Sequence, residues 1–160
     1  SASVSKDPQD ELNIENQKLT SLSKRLISPK KTIHCIYAGY NNFSSLTEFQ
    51  PYLNLKELYL NNNHIAAIEN TSLSSQLQIL ILSSNQLSDI SGLTGITSLS
   101  YLDLSSNPKL SESSPLYSLT NLNTLVLTNT GYTKKQIQSL ENKLSSCTII
   151  SDFSKIQRHP

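Results

Sequence analysis

At 160 residues and a formal net charge of +1, the chain is about one domain and carries no overall basic excess, which argues against nucleic-acid or membrane-surface binding. No apolar run approaches the roughly 18 residues needed to span a bilayer, so no membrane insertion is expected. Leucine and isoleucine dominate the apolar residues, with no Trp, no Met and four Gly, which suits a narrow core of like side chains stacked in register.

Residues 1–10 show no periodicity and read as a disordered lead-in. From Leu12, the string Leu12-x-Ile14-x-x-Gln17-x-Leu19-x-x-Leu22 matches a later one, Leu58-x-Leu60-x-x-Asn63-x-Ile65-x-x-Ile68, with Gln in place of Asn. This is expected to be a degenerate first unit of a repeat array. Residues 23–32 form a longer basic connection with Lys24, Arg25, Pro29, Lys30 and Lys31. That run reads as a solvated face rather than as a phosphate or lipid patch.

A full copy then begins at Ile33-x-x-Ile36-x-Ala38-x-x-Asn41. It recurs at Leu55-x-x-Leu58-x-Leu60-x-x-Asn63, at Leu77-x-x-Leu80-x-Leu82-x-x-Asn85 and at Leu99-x-x-Leu102-x-Leu104-x-x-Asn107. The last copy is Leu122-x-x-Leu125-x-Leu127-x-x-Thr130; the first three steps are 22 residues and the fourth is 23. A fixed period of this size predicts stacked repeats. The alternation places Leu80 and Leu82 in the core, with Ile79, Ile81 and Ser83 pointing outward. Each Asn sits where the chain leaves the strand, and its amide can satisfy the backbone of the turn. Stacked, Asn41, Asn63, Asn85 and Asn107 predict a ladder that Thr130 ends. The remaining 13 or so residues of a unit have room for extended chain or a 3₁₀ turn but not for a long helix.

Thr133-Lys134-Lys135-Gln136 is a capping-box pattern ahead of Ile137, Leu140 and Leu144 at helical spacing, and predicts a closing helix over 133–144. Leu144-x-x-Cys147-x-Ile149 repeats the strand spacing and predicts a final strand. The chain from Ser154 to Pro160 reads as a frayed tail. The organisation expected is therefore a lead-in over 1–10, a solenoid of about seven units over 11–153 with worn terminal units, and a tail over 154–160.

The 22-residue period resembles the leucine-rich repeat family, together with Asn85-Gln86-Leu87-Ser88-Asp89-Ile90-x-x-Leu93 and Pro115-Leu116-x-x-Leu119-Thr120-Asn121-Leu122. Within it, the pattern looks like the class shared by bacterial internalin-type surface proteins and the phosphatase-1 regulatory-subunit type, and the second segment leans toward the internalins. The likeness covers about residues 12–151 and is strongest over 55–127. Departures are the absence of a recognisable internalin helical cap, Ala38 in place of leucine, and one inserted residue in Asn107-Pro108-Lys109-Leu110. The resemblance implies an α/β fold: a curved solenoid with a parallel β-sheet on the concave side, short 3₁₀ or irregular convex segments and a C-terminal capping helix.

Outward strand positions of such a solenoid converge on its concave face, where ligands usually bind. The central outward row is Asn13, Tyr37, Tyr59, Ile81, Asp103, Val126 and Thr148, and the row two residues earlier is Glu11, Cys35, Glu57, Ile79, Tyr101, Thr124 and Ser146. Tyr37, Tyr59, Ile79, Ile81, Tyr101 and Val126 would form a contiguous patch across five strands, roughly 20 Å wide. Exposed apolar patches mark interaction sites and Tyr is favoured at them. The alternative is cross-strand packing alone, because sheets favour these residues anyway. Lys56, Glu57, Asn61 and Asp103 would form a polar rim. Asp103 reads either as a specific charge-assisted contact or as ordinary solvated decoration.

Chemistry is thinly represented. His34-Cys35 invites a thiol reading with Cys35 on the open face, but neighbouring strand residues point to opposite sides, so His34 is poorly placed as its base. His34, His64 and His159 are too scattered to make a metal site. No phosphate-cradling glycine motif occurs, so neither cofactor nor enzyme activity is expected. Cys35 and Cys147 fall about five strands apart, at ~4.8 Å per strand, beyond disulfide reach. The Asn42-Phe43-Ser44 and Asn70-Thr71-Ser72 acceptors are close to chance in an Asn- and Ser-rich chain. The expected function is a monomeric, non-enzymatic module that binds a protein partner of unknown identity on its concave face. Its expected setting is a secreted or surface-exposed bacterial protein acting on a host; the alternative is a cytoplasmic regulatory or scaffold segment of a larger protein. No signal peptide is visible ahead of the repeats, and the absence of disulfides also suits a reducing compartment.

Overall fold

A computed structural model describes residues 11–22, 31–70 and 72–154. The lead-in over 1–10, most of the basic connection (23–30) and the tail from 155 onward lie outside the described residues, as does residue 71 of the second glycosylation acceptor.

Each repeat contributes one three-residue strand. These are β1 (Glu11–Asn13), β2 (Cys35–Tyr37), β3 (Glu57–Tyr59), β4 (Ile79–Ile81), β5 (Tyr101–Asp103), β6 (Thr124–Val126) and β7 (Thr148–Ile150). All seven pair in sequence order and in parallel, β1-β2-β3-β4-β5-β6-β7. Such short strands are stable because each is flanked by identical neighbours and backed by a continuous core. The inward row, Ile36, Leu58, Leu80, Leu102 and Leu125, is 0% exposed. Each of these side chains contributes about 1.5–3 kcal/mol by leaving water.

The opposite wall of the core is built by the returning segments, including Ile65, Ile68, Leu87, Ile90, Leu93, Leu116 and Leu119, all fully buried. These segments are irregular or form short 3₁₀ turns at Thr47–Phe49, Ser91–Gly95 and Ser114–Leu116, as the 22-residue period allows. The second unit carries Ala38 where others have leucine and compensates in volume with Phe43 and Phe49, whose buried rings meet edge-on at 5.2 Å.

The asparagine ladder forms as the spacing predicts. Asn85 Nδ2 donates to the carbonyls of Leu82 in its own unit and Leu60 in the preceding one, while its Oδ1 accepts from Ile65 N–H at 3.0 Å. Asn41, Asn63 and Asn107 repeat this arrangement, each reaching back one unit. The residue before each ladder position is left-handed: Tyr40, Asn62, Ser84, Ser106 and Asn129 have φ between 53° and 58°, with no glycine among them. That conformation costs a non-glycine residue of order 1 kcal/mol. The ladder holds it in place. The extra residue in Asn107-Pro108-Lys109-Leu110 is absorbed as an exposed turn closed by Leu110 N–H to Asn107 O at 3.0 Å, and Leu110 still reaches the core.

A helix, α1 (Lys134–Lys143), follows β6. Its capping box is complete: Thr133 Oγ1 accepts from Gln136 N–H, and Gln136 Oε1 accepts from Thr133 N–H. Ile137, Leu140 and Leu144 bury its inner face.

The final strand is where the expected register fails. Ile149, not Cys147, pairs with Leu125, so Thr148 falls in the row of Glu57 and Ile79, and Ile150 in the row of Tyr59 and Ile81. Leaving the helix is the cause. Leu144 N–H still bonds Leu140 O, and Cys147 N–H closes a turn on Leu144 O, so two more residues pass before the strand begins.

Candidate functional site

Five strands bring the expected patch together. Tyr37, Tyr59, Ile81, Asp103 and Val126 occupy one register row on β2–β6, and Cys35, Glu57, Ile79, Tyr101 and Thr124 the other. Tyr37, Tyr59, Ile79, Ile81 and Val126 are half-buried and Tyr101 is exposed. The register slip replaces Thr148 with Ile150 at the end of the tyrosine row, extending the apolar strip to the last strand, where Ile150 is 41% exposed. Leu144-x-x-Cys147-x-Ile149 stands at the regular 22-residue step from Leu122, so the spacing carries no signal of the slip.

The two tyrosines of the row stack. Their ring centroids lie 4.9 Å apart at an interplanar angle of 20°, a geometry that adds to the burial itself. Tyr59 Oη donates to Glu57 Oε1 at 2.7 Å. The Tyr37 phenol is pushed up to about 12, first by its hydrogen bond with Cys35 and the charge there, then by desolvation and by the carboxylates of Glu11 and Glu57. Desolvation, then the bond to Glu57, raises Tyr59 as well. Both rings therefore stay neutral over the physiological range and present packed faces with fixed hydroxyls.

Cys35 is not on an open surface. It occupies an outward strand position yet is 4% exposed, with the Tyr37 side chain hydrogen-bonded to it. A buried thiol bonded to a phenol is ill suited to attack a substrate. Among the described residues no group of three or more His, Cys, Asp or Glu side chains could hold a metal ion.

Asp103 is committed locally. Its Oδ1 accepts from Ser105 N–H at 2.9 Å and from Ser105 Oγ at 2.6 Å. Asn13, at the start of the same row, bonds Glu15 N–H in the same way at 3.0 Å. The aspartate thus terminates its strand as an Asx turn. Lys56, expected on the rim, is exposed just ahead of β3, where its N–H and that of Glu57 both bond His34 O. Away from the sheet face a cleft opens between α1 and the turn after β7, lined by Lys134, Ile137, Glu141 and Phe153.

Comparison with known proteins agrees with this geometry. Residues 53–108 match the family model described as leucine rich repeat. No curated protein matches the chain. Among solved structures, an internalin (inlF) from Listeria monocytogenes is 26% identical with a TM-score of 0.64, over 79% of this chain and 43% of that one. The functional domain of InlJ from the same organism is 25% identical with a TM-score of 0.68, over 89% of this chain and 29% of that one. A Leptospira interrogans leucine-rich repeat protein, 24% identical with a TM-score of 0.67 over 74% of this chain and 31% of that one, shares the fold. The chain spans less than half the length of each of these three. Seven strands in register, a ladder of asparagines at fixed spacing and these likenesses together give the chain a leucine-rich repeat fold, with residues 53–108 matching the family's own pattern.

Proposed function

We propose that the chain is a non-enzymatic interaction module that holds a protein partner on its concave sheet, through Tyr37, Tyr59, Ile79, Ile81, Tyr101 and Val126, with Asp103 between Ile81 and Val126 in the tyrosine row. The observation that carries this reading is the contiguity of these side chains across β2–β6, on a face that no other element of the described chain covers. Cross-strand packing accounts for the stacking of Tyr37 on Tyr59, but it gives no reason to leave Tyr101 exposed beside Ile79. Interfaces built on Tyr and aliphatic anchors concentrate their binding energy at such positions.

The likeness to Listeria internalins supports a secreted or surface-exposed bacterial setting, with a host protein as the partner. The face suits a monomer that engages its partner through the sheet rather than nucleic acid or a membrane. No helix among the described residues is long and apolar enough to cross a bilayer.

Cross-linked affinity capture, run side by side with the wild-type chain, Ile81→Lys and Tyr59→Asp, tests the proposal. Both variants are expected to lose the captured partner while circular dichroism shows the fold retained. Equal capture by a folded Ile81→Lys chain would remove the concave face from the function and leave the repeats as a scaffold segment.

A further inference from the structure

The sheet face carries charge of one sign. Among the described residues, its two outward rows hold Glu11, Glu57 and Asp103 and no Lys, Arg or His, although the whole chain is net +1. The described bases lie outside these rows: Lys56 at the rim just ahead of β3, Lys18 and Lys31 in the connections between early strands, Lys109 in the turn after Asn107, and Lys134, Lys135 and Lys143 on α1. Segregation of this kind sets which partners are attracted and which are turned away.

The acids are interleaved with the aromatic and aliphatic anchors. Glu57 sits beside the Tyr37–Tyr59 stack, with Oε1 taking the Tyr59 hydroxyl and acceptor capacity remaining on the carboxylate. An aromatic face attracts a cation, and a neighbouring carboxylate adds a charge-assisted hydrogen bond. On the next strands Ile79, Ile81 and Val126 offer only apolar contact. A polyanion such as a nucleic acid or an acidic lipid surface would meet like charge. So would a second copy of the chain docked face to face.

We infer that the occupant of the concave face is a basic, aliphatic-rich polypeptide segment, seating Lys or Arg side chains at Glu57 and the Tyr37–Tyr59 stack and aliphatic side chains on Ile79, Ile81 and Val126. The inference rests on the reading of this face as the binding face and names the chemistry of what binds there.

The test is a selection from a displayed random-peptide library on the immobilised chain, counter-selected on Ile81→Lys. Enriched peptides are then titrated by fluorescence anisotropy against the wild type and the double variant Glu57→Gln/Asp103→Asn. Those substitutions remove charge while keeping an acceptor for the Tyr59 hydroxyl and for Ser105. The expected result is enrichment of peptides that alternate Lys or Arg with aliphatic residues, bound about tenfold more weakly by the double variant and progressively less as salt rises. Peptides that need Ile81 but are neutral or acidic, and bind the double variant unchanged, would overturn the charge assignment and leave the interaction face standing. If no enriched peptide distinguishes wild type from Ile81→Lys, the face reading falls and the inference with it. A doubled mass in sedimentation that Tyr59→Asp reverses would replace the basic segment with a second copy.

Discussion

The middle of the solenoid and its C-terminal end join neighbouring turns by different means. At Asn63, Asn85 and Asn107 one buried side chain bonds the backbone of two consecutive units, so each step depends on a single repeated letter. At the next step the Thr130 side chain bonds Leu127 O, within its own unit, and Thr130 meets Asn107 of the preceding unit through a backbone bridge. There the side-chain tie to the preceding unit comes from residues outside the repeat. Tyr132 Oη donates to Glu112 O, Gln136 Nε2 donates to Ser111 O at 2.8 Å, and Gly131 N–H donates to Leu110 O at 2.7 Å. The comparison teaches that the consensus letter is one solution to a general requirement. Every buried backbone group of the turn must be paired, and a capped helix with its flanking side chains can meet that requirement where the repeat ends.

The largest effect should come from removing a ladder rung. Asn85→Ala strands Ile65 N–H and the carbonyls of Leu60 and Leu82 away from water, a loss of about 3–4 kcal/mol, whereas Thr130→Ala should cost about 1 kcal/mol. Urea unfolding of the two variants with unchanged slopes measures the difference directly. Equal losses would mean that the ladder has no special place in the middle units.

Backbone contact between stacked turns is the next test. A Cβ at Gly92 would lie 2.0 Å from Glu69 O, while one at Gly95, three residues along the same 3₁₀ turn, would meet nothing within 4 Å. Gly92→Ala is therefore expected to cost about 2–3 kcal/mol through forced separation of two units. Gly95→Ala should leave thermal unfolding unchanged or slightly raised. A Gly92→Ala chain as stable as the wild type would show that adjacent units slide apart freely.

The smallest effect runs the other way. Ser84 holds φ at 56° ahead of Asn85, and Ser84→Gly should stabilise by about 0.5–1 kcal/mol by relieving that conformation. A loss instead would show that the serine side chain contributes more than its backbone costs.

Sequence alone determined the repeat, and with it the architecture, because identical spacing forces identical turns to stack and leaves the leucines only one side to fill. It also determined the ladder at Asn41 to Asn107, the capped helix from Thr133 and the outward rows on β2–β6, since all of these are local patterns with fixed periods. Tertiary structure decided what depends on neighbours in space. The thiol of Cys35 is buried and bonded to Tyr37 at an outward position, a matter of shape that an alternating pattern does not carry. The carboxylate of Asp103 is bound to Ser105, and the ring of Tyr37 is stacked on that of Tyr59 from the next repeat. The last strand slipped by two residues because leaving a helix takes chain length that periodicity does not count. That slip brought Ile150 into the tyrosine row, so the candidate face is longer than the repeat letters indicate.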